Sequence, residues 1–417
     1  MCLTIPLKIK AIKKEMAELS DGRKVSIALI KSPRVGDWIL HTNGYLIKKI
    51  SSNEADEINK LLNSYSVADS TKISLRLVKT FEAAARGNLK KADIKYLLDL
   101  DRPIELQALY SEANIIRKTN IKDHICIHGL VEFSNHCCNN CHYCGLRRDN
   151  KKNNLFRMGI DEIINVCDQI VNDRGYKIIV LQSGDDFWYD DDKLTALIKG
   201  IKEKCRVFLY LSIGDRSLGT YRQLKRAGAN GVLYRFETSN SELYAKLHPG
   251  KILKERLDNL RAMEKMGFTI STGSIIGLPG QTVDDLANDI LLMKELGAFM
   301  PSMGPLIPSQ NTPLAQAKII DFNLLLKMIA AVRLVMPTAR IPVTTAMETI
   351  GGADSRHQAF RAGANSVMFN LTPDKYRKHY NIYDNKFYDK EKKYEHWALF
   401  KGDLSYQMLE DELKVKI

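Results

Sequence analysis

The sequence predicts an α/β fold: a (β/α)8 barrel of the TIM type, preceded by a small, OB-like β-barrel domain. Eight strand-like apolar runs alternate with amphipathic, helix-length segments between about residue 125 and residue 370. Eight is the number of parallel strands that closes such a barrel. Residues 3–51 consist instead of short apolar runs separated by turn residues, a pattern that is typical of a small sheet or barrel.

The N-terminal domain is predicted to contain three strand-like runs, at residues 3–10, 24–30 and 37–50. Asp21-Gly22 and Asn43-Gly44 are turn signals, because these dipeptides tolerate the positive φ angles of tight hairpins. A helix is expected to begin at Ser52 or Asn53. We assign residues 1–65 to this domain and residues 66–121 to a linker with N-terminal helices.

The barrel is assigned to residues 122–372, and residues 373–417 form a C-terminal extension. Its predicted strands span residues 125–133, 177–182, 206–212, 231–236, 268–276, 299–304, 340–346 and 366–370. The clearest helices between them are residues 160–171, Asp191–Lys204 and 282–296. In such barrels functional groups lie where the strands end, and these ends are rich in glycine and polar residues.

The net charge of +13 and the pI of about 9.2 do not by themselves indicate a nucleic-acid-binding protein, because Lys and Arg are scattered among Asp and Glu. No stretch approaches the roughly 18 apolar residues of a membrane span. The N-terminus lacks the apolar core of a signal peptide. We therefore expect a cytoplasmic protein without a membrane or a nucleic-acid partner.

Four of the eight cysteines lie between Cys137 and Cys144, and a tight cluster in a large chain indicates a metal or catalytic site rather than disulfides. Cys137, Cys141 and Cys144 have the spacing C-x3-C-x2-C. A four-iron cluster normally takes four thiolates, so three leave one iron open. Two alternatives use the same loop: a ferredoxin-type run through Cys138, which lacks its Cys-Pro continuation, and a zinc site completed by a neighbouring histidine.

This loop resembles that of radical S-adenosylmethionine (SAM) enzymes, and its surroundings resemble HydE, the radical SAM maturase family of FeFe-hydrogenase. The resemblance is carried by Tyr143 before the third cysteine, by Gly145-Leu146-Arg147-Arg148 after it, and by Gly277-Leu278-Pro279-Gly280-Gln281-Thr282. Methylornithine synthase and biotin synthase share the general plan. The resemblance implies a 4Fe-4S cluster that binds SAM at its open iron, with reductive cleavage to a 5′-deoxyadenosyl radical.

The resemblance also implies roles for individual residues. The cluster ligands, which are the catalytic residues, are Cys137, Cys141 and Cys144. The residues implied to bind SAM are Tyr143, Gln182, Ser183, Gly184, Asp185, Glu237, Arg256 and Ile307. Among them Asp185 belongs to the motif for the amino group, Glu237 to the ribose and Arg256 to the carboxylate, which a planar guanidinium suits. The substrate cavity is implied to be lined by Arg235, Met300, Thr344, Thr345, Met368, Tyr380 and Tyr383, with core packing as the alternative for the two methionines.

A second resemblance covers the N-terminal domain. Residues 1–6, Val35-Gly36-Asp37-Trp38-Ile39-Leu40 and Gly44-Tyr45 resemble HypC, a small chaperone family of NiFe-hydrogenase assembly. In that family an N-terminal cysteine helps to hold an iron that carries cyanide and carbon monoxide. Cys2 matches this cysteine and is a candidate iron ligand. The family's histidine falls at Thr42, however, and His41 is one position early, which on a strand turns the side chain to the other face; partner docking is therefore the alternative.

Together the resemblances imply a radical SAM enzyme of hydrogenase cofactor maturation, acting on an iron–cyanide–carbonyl–cysteine precursor of the FeFe-hydrogenase active site. No cysteine follows Leu371, so one cluster is expected. Expected partners are an electron donor such as ferredoxin or flavodoxin and other maturation proteins. Two alternatives stay open: a radical SAM mutase or synthase of the methylornithine or biotin synthase type acting on a small organic substrate, and a non-catalytic iron metallochaperone scaffold.

Overall fold

The chain divides into two compact units, Met1–Ile73 and Ser74–Ile417. The structure, a computed structural model, describes residues 6–30, 32–42, 45–56, 73–121, 125–352 and 354–386. Cys2, residues 66–72 of the predicted linker and residues 387–417 of the C-terminal extension lie outside the described residues.

The first unit contains a closed barrel of five strands in the order β1-β2-β3-β5-β4. The strands are β1 (Leu7–Lys13), β2 (Met16–Leu19), β3 (Lys24–Ser26), β4 (Trp38–Thr42) and β5 (Tyr45–Ile50). Alternate side chains point inward and form one core of Ile9, Ala17, Leu19, Val25, Ile39 and Leu46. The predicted small β-barrel is confirmed, although the run at 37–50 is two strands and β2 was not predicted, because its alternation is only four residues long.

A helix follows β5 and residues 52–56 belong to it, so it begins at Ser52, the first of the two predicted positions. Ser51 caps it: its hydroxyl accepts from the Glu54 N–H at 3.1 Å, and its own N–H donates to the Glu54 carboxylate at 2.8 Å. This reciprocal pair satisfies two backbone donors at the helix start. The rest of the predicted helix lies outside the described residues.

The second unit is built on a parallel sheet of eight strands in the order β12-β10-β9-β8-β7-β6-β15-β14, and a separate pair, β11 and β13, lies beyond it. The strands are β6 (Cys126–Ser134), β7 (Ile178–Ser183), β8 (Phe208–Ser212), β9 (Gly231–Leu233), β10 (Thr269–Thr272), β11 (Ile275–Ile276), β12 (Met300–Pro301), β13 (Gly304–Pro305), β14 (Pro342–Val343) and β15 (Ser366–Asn370). The TIM-type barrel is confirmed and is nearly closed. Within the described residues no strand pairing joins β12 to β14, but at this seam the Arg340 N–H donates to the Phe299 carbonyl at 2.9 Å.

The strand prediction is wrong in three respects. The predicted fourth strand, residues 231–236, ends at Leu233. The strand predicted over 340–346 ends at Val343, because the Thr344 hydroxyl accepts from the Met347 N–H at 3.4 Å and caps the helix Thr345–Gly351. The fifth and sixth strands are each interrupted. A Cβ on Gly273 would lie 2.2 Å from the Ser302 carbonyl oxygen, so the two backbones approach too closely there for regular pairing of side-chain-bearing residues.

Helices surround the barrel and also precede it. They are Leu75–Ala85, Lys91–Asp99, Pro103–Ile121, Ile160–Asp168, Asp191–Lys204, Leu218–Arg226, Ser241–Leu247, Leu253–Lys265, Val283–Glu295, Phe322–Val335, Thr345–Gly351, Ser355–Arg361 and Asp374–Arg377. The helix predicted over 160–171 changes to a π-helical turn at Gln169–Asp173. The three described helices that precede the barrel, Leu75–Ala85, Lys91–Asp99 and Pro103–Ile121, all contact Phe322–Val335 on the barrel's outer surface. None of the described helices has the length and apolar character that crossing a membrane requires.

Candidate active site

A cavity of about 330 Å³ lies at the C-terminal ends of the barrel strands. The predicted site residues that line it are Cys137, Cys141, Tyr143, Cys144, Gln182, Ser183, Gly184, Asp185, Arg235, Glu237, Arg256, Ile307, Thr344, Thr345, Met368, Tyr380 and Tyr383. Met300 is not among the lining residues; its side chain is fully buried at the start of β12. The structure therefore brings together almost the whole predicted site, and the alternative of core packing holds for Met300.

Three thiols of the loop after β6 line this cavity. Cys137, Cys141 and Cys144 are half-buried, whereas Cys138 is exposed and is not a lining residue. Within the described part of the chain, no group of three or more His, Cys, Asp or Glu side chains is placed to hold a single metal ion. Three thiols around an open cavity form a donor set that fits a four-iron cluster, which takes one thiolate per iron.

These thiols are held in a setting that favours their protonated form. Burial raises the pKa of Cys137 to about 12 and the pKa of Cys144 to about 11, and it raises the pKa of Cys141 well above its ordinary value. Metal ligation requires the thiolate. The three thiols therefore need cations close by before they can ionise together, and the irons of a cluster supply that charge.

The cysteine loop is held against the end of β7 by Gly184 and Asp185. A Cβ on Gly184 would lie 2.8 Å from the Cys137 Cβ, so a larger residue would displace the loop. The Asp185 N–H donates to the Cys137 Sγ at 3.4 Å. The Asp185 carboxylate accepts from the Asn139 side chain at 2.7 Å and from the Asp215 N–H at 2.9 Å. Asp185 thus connects the loop after β6 to the loop after β8.

Tyr143 is fixed by His248, to which no sequence motif pointed. Its hydroxyl lies 2.9 Å from the His248 Nε2, and the His248 Nδ1 lies 2.9 Å from the Tyr244 carbonyl oxygen. Because a carbonyl only accepts, Nδ1 donates to it, and Nε2 is then free to accept from the Tyr143 hydroxyl. The His248 ring also stacks on Tyr244 with 4.2 Å between centroids. These contacts hold the Tyr143 ring beside the cysteine loop.

Glu237 has an unusual backbone conformation, with φ of 67° in the left-handed region. Such a conformation costs a non-glycine residue about 1–3 kcal/mol and persists where its surroundings enforce it. Here the Glu237 N–H donates to the Gly273 carbonyl at 3.0 Å, and the Glu237 carbonyl accepts from the Ile275 N–H at 2.9 Å. The carboxylate forms an ion pair with Arg235 at 3.1 Å. The strained backbone therefore directs the Glu237 carboxylate, paired with Arg235, into the cavity.

Arg256 is held from three sides. Its Nε donates to the Arg235 carbonyl at 2.6 Å, and one terminal nitrogen contacts the Asp215 carboxylate at 2.8 Å. The guanidinium also lies 3.8 Å from the centroid of the Tyr234 ring. Asp215 and Tyr234 were not predicted. Asp215 lies in the polar segment after β8, which is visible in the sequence. Its pairing with Arg256 is not visible there, because the two residues are 41 positions apart.

A second ion pair lines the cavity at the ends of β6 and β15. Lys386 pairs with Glu132, which is fully buried, and the Asn370 side chain donates to the same carboxylate at 2.8 Å. The Lys386 ammonium also lies 5.2 Å from the centroid of the Tyr380 ring. A buried carboxylate is stable only when it is paired in this way. Glu132 stands inside a strand run and could have been suspected; nothing in the sequence pattern pointed to Lys386.

Three family models match the chain. Residues 131–293 match the radical SAM superfamily, residues 1–62 match the HupF/HypC family, and residues 302–394 match the biotin and thiamin synthesis associated domain. The radical SAM match covers the cysteine loop and most of the SAM residues implied above. The HupF/HypC match covers the five-stranded barrel.

Two relatives each align with about two thirds of the chain. The [FeFe] hydrogenase maturase subunit HydE of Thermotoga maritima is 43% identical over 282 residues, which are 67% of this chain and 80% of the relative. The 3-methylornithine synthase of Methanosarcina acetivorans is 28% identical over 288 residues, which are 69% of this chain and 81% of the relative.

Solved structures show the same fold. Methylornithine synthase superposes with a TM-score of 0.66 at 25% identity, over 75% of this chain and 91% of that one. The FeFe-hydrogenase maturase HydG from Carboxydothermus hydrogenoformans superposes with a TM-score of 0.66 at 20% identity, over 84% of this chain and 82% of that one. The second likeness concerns the fold alone.

Proposed function

Because the chain belongs to the HydE family of radical SAM enzymes, we propose that it takes part in maturation of the FeFe-hydrogenase cofactor by reductive cleavage of SAM. Its cofactors are a 4Fe-4S cluster and SAM. The observation that carries the proposal is that Cys137, Cys141 and Cys144 share one cavity with Glu237 and Arg256. When bound, the cluster and SAM together supply a 5′-deoxyadenosyl radical.

The side chains around the cysteines bind and orient SAM. Cys137, Cys141 and Cys144 hold three irons and leave the fourth open. Arg256 binds the SAM carboxylate, since its guanidinium is planar and permanently charged. Glu237 accepts hydrogen bonds from the ribose hydroxyls. Ile307 offers an apolar contact to adenosine; its own core neighbours are Ala346 and Tyr383.

The deeper part of the cavity binds the substrate, for which we propose an iron–cyanide–carbonyl–cysteine complex. Arg235 supplies a cation and Thr344 and Thr345 supply hydroxyl donors, a combination that suits anionic or cyanide-bearing groups. Tyr380 and Tyr383 are buried beside these groups. Their rings keep water out of this part of the cavity, which strengthens the electrostatic contacts between the substrate and the site.

We assign the first unit and the expected protein partners to the same maturation process. We propose that the HypC-like barrel receives or passes on an iron complex through Cys2, or docks another maturation protein. An electron donor such as ferredoxin or flavodoxin reduces the cluster, and the protein works in the cytoplasm. Replacement of Cys2 by alanine separates the two roles of the barrel, because only iron transfer requires the thiol.

A defined maturation mixture tests the proposal. The chain replaces HydE in a reaction that contains the remaining maturation proteins and the immature hydrogenase, and hydrogen evolution is measured. We expect activation that depends on SAM and on this chain. If the chain cleaves SAM but activates no hydrogenase, the maturation proposal fails, and a synthase of the methylornithine type becomes the better account.

A further inference from the structure

Asp215 binds two cations with one carboxylate. Its Oδ1 contacts a terminal nitrogen of Arg256 at 2.8 Å, and its Oδ2 contacts the Lys251 Nζ at 3.0 Å. The Tyr234 hydroxyl also donates to Oδ1. The family resemblance implies no role for Asp215 or Lys251. Both residues line the same cavity as the three cysteines.

Lys251 reaches the cavity from a short loop. The loop follows the helix Ser241–Leu247, and the Lys251 N–H donates to the His248 carbonyl at 3.0 Å. Gly250 allows the turn with φ of 77°. The Lys251 side chain is 37% exposed, so the ammonium is at the mouth of the cavity. A flexible four-carbon stem lets it change partners without a change in the backbone.

The two cations are already spaced to share a carboxylate. Because Arg256 and Lys251 both contact the Asp215 carboxylate, a second carboxylate that enters from the cavity can contact both of them as well. When Lys251 leaves Oδ2, Arg256 keeps its contact with Oδ1 of Asp215. The Asp215 carboxylate therefore stays paired. The Lys251–Asp215 pair is partly exposed, and an exposed ion pair is easily exchanged.

The charges around this point match an α-amino acid. Asp185 presents a carboxylate on the side of the cysteine loop, while Arg256 and Lys251 present cations beside Asp215. Burial alone would lower the pKa of Lys251, but the hydrogen bond and charge of Asp215, with Asp185 nearby, raise it. Lys251 is therefore an ammonium at neutral pH. The site therefore presents an anion on one side and cations on the other, which is complementary to a zwitterion.

We propose that Lys251 is a second cation for the carboxylate of SAM, which it binds after release from Asp215. Asp215 is a positioning residue that orients Arg256 toward the same carboxylate. The inference rests on the proposed function, because it names a further contact of the same SAM site.

The test measures the SAM dissociation constant of the full-length, anaerobically reconstituted protein by equilibrium dialysis. Lys251→Met keeps the stem and removes the charge, and we expect it to raise the dissociation constant about threefold to tenfold, the range of one ordinary hydrogen bond formed in competition with water. Lys251→Arg should stay near wild type. Lys254→Met is the matched control, since Lys254 is 82% exposed and pairs with Asp258 on the helix surface.

Decarboxylated SAM identifies the group that Lys251 contacts. This analogue lacks only the carboxylate, so Lys251→Met should leave its affinity within twofold of wild type. Asp215→Asn should reduce the difference in affinity between SAM and the analogue, and Asp215→Glu should restore part of it. A merely structural role of Asp215 would weaken the two ligands equally.

Two results would overturn the inference. Lys251→Met could leave the SAM affinity within twofold of wild type, or it could weaken SAM and decarboxylated SAM by the same factor. In either case Lys251 serves only as an ion-pair partner of Asp215. Failure of the proposed function looks different, because the wild-type protein itself would then bind no SAM and form no 5′-deoxyadenosine.

Discussion

Gly214 is the residue at which two loops of the site approach most closely. Its φ is 73°, and a Cβ there would lie 1.7 Å from the Asp185 Oδ1. A side chain would therefore push Asp185 away from Asn139 and from the cysteine loop. Two effects therefore oppose a larger residue at position 214: the positive φ angle and the clash with Asp185.

Gly214→Ala is expected to weaken SAM binding as well as stability. Gly297→Ala is the matched control, because Gly297 has φ of 61° but nothing within 4 Å of a new Cβ. The backbone penalty of about 1–2 kcal/mol for a left-handed L-residue is common to both. Melting temperature and SAM dissociation constant are measured for each variant. Equal SAM affinity in the two variants would contradict the role given to Asp185.

Single residues also show what the sequence could and could not predict. The cysteines and Asp185 follow directly after strand ends, so their convergence could be expected from the barrel. Lys251 and His248 could not, because each acts through a partner from another loop. Met300 was assigned to the cavity, but β12 has only two residues, and apolar periodicity cannot decide the direction of a side chain over so short a strand.

At the scale of elements, the segment that follows β15 holds the cysteine loop from outside. The Asn135 side chain donates to the His379 carbonyl at 2.8 Å, and the Gly145 N–H donates to the Ile382 carbonyl at 2.8 Å. These two contacts lie just before and just after the cysteines. The segment therefore connects the cluster loop to Tyr380 and Tyr383 in the cavity.

Gly145→Ala should loosen this connection and the metal site with it. The new Cβ would lie 2.2 Å from the Asn381 carbonyl oxygen, whereas a Cβ on Gly159 would meet nothing within 4 Å, which makes Gly159→Ala the control. We expect the first variant to lose iron to a chelator severalfold faster than the second, because a displaced loop exposes its thiolates. Equal rates of iron loss would show that the segment does not support the loop.

Some elements could be predicted from the sequence more accurately than others, for physical reasons. Long strands with buried runs, such as β6 and β15, lie within a residue of their predicted positions. The error at Thr345–Gly351 arose because β-branched residues favour strands, while the Thr344 hydroxyl caps a helix there. The local cap outweighs the weak intrinsic preference. The interruption at Gly273 depends on Ser302, a contact between distant segments.

At the scale of the whole molecule, each unit has its own apolar core. The first unit is centred on residues such as Ile9 and Leu46, and the second has a core between the barrel strands with Leu130 and Val180. A unit that has its own apolar core can fold alone. The sequence predicts a small domain over residues 1–65, because the strand pattern changes character beyond it, whereas the first compact unit ends at Ile73.

A chain that begins at Ser74 should therefore keep SAM cleavage. We expect 5′-deoxyadenosine formation within about twofold of the full chain, since the whole cavity lies in the second unit. Hydrogenase maturation should fall if the HypC-like barrel handles the iron complex. A shortened chain that folds, as judged by circular dichroism, but cleaves no SAM would show that the first unit is required for the chemistry.

The most direct test of the whole account is the formation of 5′-deoxyadenosine by the reconstituted protein under anaerobic, reducing conditions. Cys141→Ser removes a proposed ligand that lines the cavity, and Cys138→Ser is the matched control at the exposed neighbour. We predict product from the wild type and from Cys138→Ser, with at least about a hundredfold less from Cys141→Ser, because three thiolates are needed to hold the cluster. The account is contradicted if the wild type, loaded with about four irons per chain, forms no 5′-deoxyadenosine.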